Sequence, residues 1–349
     1  MCYYNFVKNN NIYPFGEKFM PLKHSFCRIS LIILSIFLAS SIYSADRSSK
    51  PAYKTNILRK TFRFNAKTKK SVSLRELQQG CPARDCIPSI DKPKFVPVDK
   101  ADFLTDDGYV IVVNYDGKTK IYSRNILEHH EIVNDWFGSL PVAVSFCPLC
   151  GTAVAVVRIV DGKVSEFGVS GVLHNSDLVM YDRNTNSLWG QLTGTAIVGE
   201  QTGTRLRKIS AQLMRWKQAR KTYKNAMVLS KDTGFNFSYD KVAYQKYYDS
   251  DKVVFPISLS DARANKKTIV YGISIDGENI AFTESYLKKH PAFEQKIAGI
   301  NLKISSRAEG DVRATNKNTG ENLVVTRAYW FAWYNFHPRT ILIGGKKGN

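Results

Sequence analysis

The chain is poor in cysteine and lacks any apolar run long enough to cross a membrane. Six cysteines among 349 residues are far too few for a disulfide-stapled scaffold. The apolar stretch at residues 29–39 is shorter than the roughly 18–20 residues that a membrane span requires. The sequence also has no Gly-rich phosphate loop, nucleophile elbow, catalytic triad or low-complexity tract. These absences argue against a nucleotide-binding enzyme, a serine hydrolase and a largely disordered chain.

The first 45 residues have the order of features found in a signal peptide. Basic residues within 23–28 precede the apolar stretch, and small residues within 40–45 follow it. We predict cleavage after Ala45, with Met20 as an alternative start because the residues before it fit no part of this pattern. The mature chain is then expected to be soluble and periplasmic or extracellular.

The charge of the chain is strongly positive. The formal net charge is +20, and removal of residues 1–45 takes away four basic residues and one acidic residue, which leaves +17. Such a charge favours peripheral contact with anionic envelope surfaces. The basic residues are scattered and match no nucleic-acid-binding motif, so we expect no nucleic-acid partner.

The remainder divides into a lead-in arm and one domain. Residues 46–78 are predicted to form a basic arm, and residues 79–345 a single β-rich domain. Turns such as Asp116-Gly117 between β-rich runs predict hairpins. Helical spacing predicts short helices over 124–138 and 210–223. The expected fold class is α+β and predominantly β, with antiparallel hairpins in barrel- or sandwich-like sheets and a few short helices.

A weak internal repeat lies within the β-rich domain. Residues 110–133 and 270–293 align without gaps. The repeat-like halves extend over about 109–156 and 269–316. The pattern predicts two copies of a hairpin–helix–strand unit.

Cys147 and Cys150 stand two residues apart within an apolar, strand-like run. In the second half of the repeat they align with Arg307 and Gly310, so the unit does not need them to fold. Their spacing is typical of thiol–disulfide enzymes and of half of a four-ligand metal site. The β-like sequence that follows provides no helix N-terminus to lower a thiol pKa. A redox or catalytic pair, a metal site and a structural pair all remain open.

Histidine and methionine residues are the candidates to complete a metal site. We consider His129, His130 and His174 as ligands that folding can bring to the thiols, with Met180 as a soft thioether donor. Such a donor set suits copper or zinc. His130 is a histidine in both halves of the repeat, which makes a special ligand role there less expected.

Cys81 and Cys86 flank a proline-rich loop and are predicted to form a disulfide that staples it. The alternatives are a second dithiol that exchanges electrons with the first pair, and additional metal ligands. A relay between the two pairs would require this loop to fold over residue 147.

Two polar segments provide further candidates. On a helix, Glu131 and Asp135 lie on one face, although the segment lacks the second histidine of an HExxH zinc site. A solvent-exposed acidic face is the alternative. Residues 172–191 are predicted to line a ligand cleft where they meet residues 142–153. Alternatively, residues 181–188 form a plain β-turn with Asp182 and Asn184 as turn residues. The cleft candidates are His174, Asn175, Ser176, Asp177, Met180, Tyr181, Asp182, Arg183, Trp189 and Gln191.

Several of these segments resemble the domain-of-unknown-function family numbered 3179. The resemblance rests on residues 130–135 (HEIVND), 147–153 (CPLCGTA) and 175–189 (NSDLVMYDRNTNSLW), and covers about residues 75–345. It implies a mostly bacterial or archaeal protein, exported or membrane-anchored, with no assigned activity. Some members resemble selenoproteins with selenocysteine at a cysteine position, which would favour redox chemistry at the cysteine pair.

The chain departs from the family pattern at three positions. His174 stands where relatives often have an aromatic residue, and many relatives lack Cys81 and Cys86. A role common to the whole family is therefore not expected for these three residues.

The leading hypothesis is an extracytoplasmic thiol-based redox protein. One thiolate of the pair Cys147 and Cys150 attacks and the other resolves, with His130 or His174 assisting proton transfer. Its partner would be an unknown redox partner or a small ligand. The first alternative is a copper- or zinc-binding protein that uses the same cysteines with histidine. The second is a non-catalytic module that binds anionic envelope polymers.

Overall fold

The computed structural model describes residues 56–346, so the predicted signal peptide lies outside the described residues. The helices are α1 (Asn56–Lys60), α2 (Arg124–His130), α3 (Trp216–Thr222), α4 (Gln245–Tyr248), α5 (Glu284–Lys289) and α6 (Trp330–Phe336), with a 3-10 turn at Val98–Lys100. Within this range, no helix has the length and apolar character needed to cross a membrane.

Strands dominate the described part of the chain. They are β1 (Leu77–Gln79), β2 (Phe95–Pro97), β3 (Tyr109–Tyr115), β4 (Lys118–Ser123), β5 (Ile132–Phe137), β6 (Leu140–Cys147), β7 (Thr152–Val157), β8 (Ile159–Val160), β9 (Lys163–Val164), β10 (Phe167–His174), β11 (Asp177–Asp182), β12 (Leu188–Gly190), β13 (Thr195–Val198), β14 (Lys208–Ile209), β15 (Ala211–Arg215), β16 (Met227–Leu229), β17 (Ile269–Ile275), β18 (Glu278–Thr283), β19 (Ala292–Ile297), β20 (Ile300–Ala308), β21 (Asp311–Asn316), β22 (Asn322–Leu323), β23 (Thr326–Tyr329) and β24 (Ile341–Ile343). The predicted class, predominantly β with few short helices, is confirmed.

The strands form several small sheets. Their orders are β1-β10-β11-β12-β13, β14-β7-β6-β5, β15-β3-β4-β16-β2, β23-β17-β18-β24 and β19-β20-β21-β22, with β8 and β9 as a separate pair. Nearly all neighbours are antiparallel; β4 with β16 and β18 with β24 are parallel. Separate sheets of this size are compatible with a propeller-like arrangement.

The predicted duplication is present in the structure. β3 begins at Tyr109 and β17 at Ile269, and the next strand, the helix and the two strands after it keep this spacing of 160 residues. β7 and β21 begin 159 residues apart, at Thr152 and Asp311. The strand order β14-β7-β6-β5 in one sheet matches β22-β21-β20-β19, and β15-β3-β4-β16 matches β23-β17-β18-β24. We call residues 109–157 with 208–229 the first copy, and residues 269–317 with 322–343 the second copy.

An insertion distinguishes the two copies. The spacing falls to 114 residues between β16 and β24, so the first copy is longer by 46 residues. All but one residue of this extra length lies within residues 158–207, which we call the insert and which contain β8 to β13. The sheet of the insert also includes β1, since Leu77 pairs with His174.

Each copy places a hairpin tip against the other copy. A side chain at Gly310, in the β20–β21 turn, would overlap the carbonyl oxygen of Leu213 in β15. In the opposite direction, a side chain at Gly151, in the β6–β7 turn, would approach the ring of Tyr329 in β23 to 3.1 Å. Glycine allows both close approaches, so the interface between the copies depends on residues without a Cβ.

Two predicted helices are shorter than the sequence pattern indicated. α2 ends at His130 because Glu131 has φ 55° and the next residues pair with β6. Glu131 and Asp135 therefore do not share a helix face, and both are buried, so the alternative of an exposed acidic face is also wrong. In the second case Ala211–Arg215 pair with β3, and the helix begins only at Trp216. Tertiary strand pairing overrides helical spacing at both places.

Substitution at the copy interface tests this packing. Gly310→Ala should destabilise the protein by about 3 kcal/mol, because both its left-handed backbone (φ 85°) and Leu213 oppose a Cβ. The matched control is Gly277→Ala, where φ is 83° and nothing lies within 4 Å, with an expected loss of about 1 kcal/mol. Urea unfolding of both variants measures the difference, and equal losses would contradict the described contact.

Candidate functional site

Cys147 and Cys150 lie at the tip of the β6–β7 hairpin. Cys147 is the last residue of β6 and pairs with Thr152, the first residue of β7. Gly151 takes the left-handed conformation (φ 61°) that lets the chain turn back immediately after Cys150. Both cysteines are free and buried, with exposed fractions of 1% and 0%.

The turn between β10 and β11, in the insert, meets this hairpin tip. Its two central residues, Asn175 and Ser176, both have positive φ (51° and 64°), as a tight two-residue hairpin turn requires. The carbonyl oxygen of Ser176 lies 3.4 Å from the sulfur of Cys150 and 3.8 Å from that of Cys147. The predicted meeting of the cysteine segment with the 172–191 segment therefore exists, although it is a buried contact.

Asp177, the first residue of β11, completes the group. Its Oδ1 lies 3.5 Å from the sulfur of Cys150, and it is fully buried. The two sulfurs and a carboxylate oxygen of Asp177 all lie within 4.8 Å of one another. Such a group can bind a metal ion or take part in redox chemistry.

The electrostatics of this group favour its neutral form. Burial raises the pKa of Asp177 to about 7, opposed by the backbone N–H of Leu192, which donates to its Oδ2 at 3.0 Å. Burial, together with Cys147 and Asp177, raises the pKa of Cys150 well above its ordinary value. The positive charge of Lys208 lowers the pKa of Asp177 by a smaller amount. The Nζ of Lys208 does not donate to Asp177, however, but to the carbonyl of Leu192 at 2.6 Å. Burial lowers the pKa of Lys208 to about 8.

The structure does not bring the candidate histidines to the thiols. His130 is held through Nδ1 by the carbonyl of Pro88 (2.7 Å) and through Nε2 by the hydroxyl of Tyr239 (2.6 Å). His129 contacts the carbonyl of Ser238 at 3.2 Å. His174 is at the base of the same turn as Asp177, but its Nε2 faces Glu76 at 3.3 Å. None of the three belongs to the group of converging ligand atoms among the described residues.

Most of the other cleft candidates make contacts within the insert or between the insert and the loop at residues 85–91. Asp182 accepts hydrogen bonds from the indole of Trp189 (2.9 Å) and from the backbone N–H of Thr185 (2.7 Å), which gives the turn predicted as the plain alternative. Arg183 donates to Asp91 at 2.8 Å, and Tyr181 donates to Asp85 at 2.5 Å.

Three further candidates have separate places. Met180 is fully buried within β11, opposite Val169. Asp135 in β5 accepts hydrogen bonds from Lys120 (2.7 Å) and from the hydroxyl of Tyr122 (2.6 Å). Glu131, by contrast, is affected electrostatically by Asp177. Burial raises the pKa of Glu131 to about 8, and the carboxylate of Asp177 adds a smaller effect in the same direction.

Cys81 and Cys86 are joined in a disulfide. The loop that they close runs along β10, because the backbone N–H of Cys81 donates to the carbonyl of Gly171 at 3.1 Å. The N–H of Asp85 donates to Val169 in the same strand at 2.9 Å. The pair is therefore placed as a staple of this loop.

The second copy and the segment between the copies enclose the hairpin tip. The backbone N–H of Tyr329 donates to the carbonyl of Cys150 at 2.8 Å, and the half-buried Arg327 donates to the carbonyl of Gly151 at 2.8 Å. From the segment between the copies, the hydroxyl of Tyr247 donates to the carbonyl of Leu149 at 2.8 Å. The hydroxyl of Ser176 donates to the carbonyl of Phe255 at 2.9 Å.

Sequence reasoning overlooked several of these enclosing residues. Strand pairing makes Arg327 the counterpart of Leu213, so a charged residue replaces a core leucine between the copies. An alignment of the two copies through β15 and β23 would have shown this exchange. Gln191, one of the predicted cleft residues, donates to the hydroxyl of Ser145 (3.2 Å) and to the carbonyl of Thr152 (3.1 Å) beside the site.

The fold and site define a duplicated, predominantly β protein with a buried dithiol–carboxylate group. The chain belongs to the family described as "Protein of unknown function (DUF3179)", whose family model matches residues 84–325. This confirms the resemblance seen in the sequence. Neither the curated proteins nor the solved structures contain a match to the chain.

Replacement of Asp177 tests the cost of its burial. Its pKa is raised from 3.8 to about 7, so between these values the unfolded chain carries the charge and the folded chain does not. The stability that this group contributes is therefore present in acid and is lost as pH rises toward about 7. In the presence of a metal chelator, Asp177→Asn should reduce the change in the free energy of unfolding over this pH range by up to about 4 kcal/mol. Urea unfolding across this range provides the measurement, and parallel pH profiles would contradict the assignment.

Proposed function

We propose that the chain is an exported metal-binding protein that holds a zinc ion between Cys147, Cys150 and Asp177. The observation that carries this proposal is the convergence of three metal-ligating atoms within 4.8 Å in a fully buried place. No ion pair between described residues supplies Asp177 with a cation. A bound divalent ion would stabilise the deprotonated thiols and carboxylate that burial otherwise disfavours.

The donor set favours zinc over copper. Thiolates alone suit both copper(I) and zinc, but the carboxylate of Asp177 is a hard ligand that copper(I) does not prefer. Zinc accepts sulfur and oxygen donors together in tetrahedral sites. Hydrogen bonds from Arg327 and Tyr329 of the second copy fix the position of the hairpin tip that bears Cys147 and Cys150, as a metal site requires.

The same geometry supports thiol exchange with an external partner less well. Reactive thiols are usually part exposed, with a lowered pKa, whereas both cysteines are buried and the pKa of Cys150 is raised. The histidines expected to assist proton transfer, His130 and His174, have other partners. Binding to anionic envelope polymers stays a prediction from the charge of the chain.

One contact favours a second candidate function, a dithiol–disulfide couple. The thiol of Cys150 lies 3.5 Å from Asp177, whose pKa of about 7 suits a proton acceptor. An external disulfide would oxidise Cys147 and Cys150 to an internal disulfide and leave as two thiols, so electrons and protons balance. This reaction requires the segment that contains Tyr247 and Phe255 to move away from the site.

Metal analysis of purified mature protein tests the zinc proposal. We expect about one zinc per chain, and Cys147→Ser and Asp177→Asn should each weaken zinc binding by about 100-fold or more, because each removes a direct ligand. Competition with a chromophoric chelator gives the affinities. The matched control is the double variant Cys81→Ser/Cys86→Ser, which removes two cysteines and should keep its zinc. Unchanged zinc content in Cys147→Ser would refute the proposal.

Oxidation with glutathione disulfide distinguishes the two candidate functions. If zinc is the resident ion, Cys147 and Cys150 should stay as two free thiols in the loaded protein and should oxidise only after chelation, because coordinated thiolates are protected. Thiol titration followed by mass spectrometry reports the state of each cysteine. Equally fast oxidation with and without zinc would favour the dithiol–disulfide couple.

A further inference from the structure

Glu131 has an unusual backbone conformation directly beside the candidate metal site. It ends α2 with φ 55° and ψ −31°, a region that residues with a side chain rarely adopt. Its N–H donates to the carbonyl of Leu127 at 2.7 Å, and its carbonyl accepts from the N–H of Phe146 at 2.8 Å. The backbone of Glu131 is therefore fixed next to Cys147, the residue that follows Phe146.

The second copy provides an internal control for this strain. There the position of Glu131 is taken by Pro291, whose carbonyl accepts the matching hydrogen bond from Ser306 at 2.7 Å. The ring of proline fixes φ near −65°, so the repeat forms this junction without a left-handed residue. The fold does not require the strain at Glu131, and strained residues that a fold does not require are characteristic of functional sites.

The carboxyl group of Glu131 lacks a structural partner. The residue is only 8% exposed, yet no hydrogen bond or ion pair between described residues involves its carboxyl oxygens. Besides burial, the charged group that raises the pKa of Glu131 is Asp177, another buried carboxyl group. A carboxyl group that is largely removed from water without a hydrogen-bond partner is unfavourable as an anion, and a bound cation would stabilise it.

All the residues involved are specific to the first copy. Cys147 and Cys150 correspond to Arg307 and Gly310 in the second copy. Asp177 belongs to the insert, which has no counterpart there. Glu131 is also specific to the first copy, since its counterpart in the second copy is Pro291. A set of residues that appears together in one copy, and at one place, is expected to serve one purpose.

We propose that Glu131 is the fourth ligand of the zinc site, and that its strained backbone serves to place the carboxyl group beside Asp177. This rests on the proposed function, in which Cys147, Cys150 and Asp177 supply three donors. A tetrahedral zinc ion takes four. Because the carboxyl group of Glu131 lies outside the 4.8 Å group formed by the other ligand atoms, its coordination requires the side-chain torsions of Glu131 to rotate toward the ion.

Two substitutions test this assignment on the full mature chain. Glu131→Gln keeps the shape and removes the charge, and Glu131→Gly also releases the backbone strain. Both should weaken zinc binding by 10- to 100-fold in chelator competition. Metal-free Glu131→Gly should unfold at a higher temperature than wild type, because glycine accepts the left-handed conformation. If Glu131 had only a structural role, a variant that is more stable than wild type would not at the same time bind zinc more weakly.

Cobalt substitution and a strain control complete the experiment. The visible spectrum of the cobalt-loaded protein should change between wild type and Glu131→Gln, because a ligand is altered. The control Ala298→Gly releases a left-handed residue (φ 47°) in the second copy and should raise stability while zinc affinity stays unchanged. Zinc affinity within twofold of wild type in both Glu131 variants overturns this inference. A wild-type chain that binds no zinc overturns the proposed function itself.

Discussion

The burial of Asp177 beside two thiols is the constraint on which the organisation of this molecule depends. A carboxyl group with no exposed surface, next to Cys147 and Cys150, is unfavourable as an anion. The surrounding structure nevertheless holds it there from three directions. The insert supplies Asp177, the first copy supplies the thiols, and the segment between the copies binds the turn through Ser176. Such enclosure is explained most simply if a cation occupies the group.

Duplication allowed the two copies to take different roles. The first copy carries the cysteines and, through its insert, the carboxylate. The second copy lacks both and instead supplies Arg327 and Tyr329, which bind the carbonyls of Gly151 and Cys150. Because Arg327 stands where the first copy has Leu213, a core position has been converted into support for the other copy's hairpin tip. The copies are thus alike in fold and complementary in chemistry.

Local patterns predicted the duplication and the hairpins with Asp-Gly turns, because such turns depend on neighbouring residues. They did not predict that β6 and β7 form a hairpin whose turn contains Cys150, since residues 148–151 carry no Asp-Gly pair. The same patterns extended α2 beyond His130, since only pairing with β6 reveals that the next residues are a strand. Nothing local distinguished Asp177 among the polar residues of the insert. The placement of His130 could not be predicted either, because its partner Tyr239 lies 109 residues away in an irregular segment.

Zinc-edge X-ray absorption spectroscopy on protein isolated without added metal or reductant is the most direct test of whether Cys147, Cys150 and Asp177 hold a zinc ion. We expect a tetrahedral zinc with two sulfur neighbours at about 2.3 Å and two oxygen neighbours at about 2.0–2.2 Å. The sulfurs are those of Cys147 and Cys150, and one oxygen is that of Asp177. A zinc ion without sulfur neighbours, or a protein without zinc whose Cys147 and Cys150 form a disulfide, would contradict it.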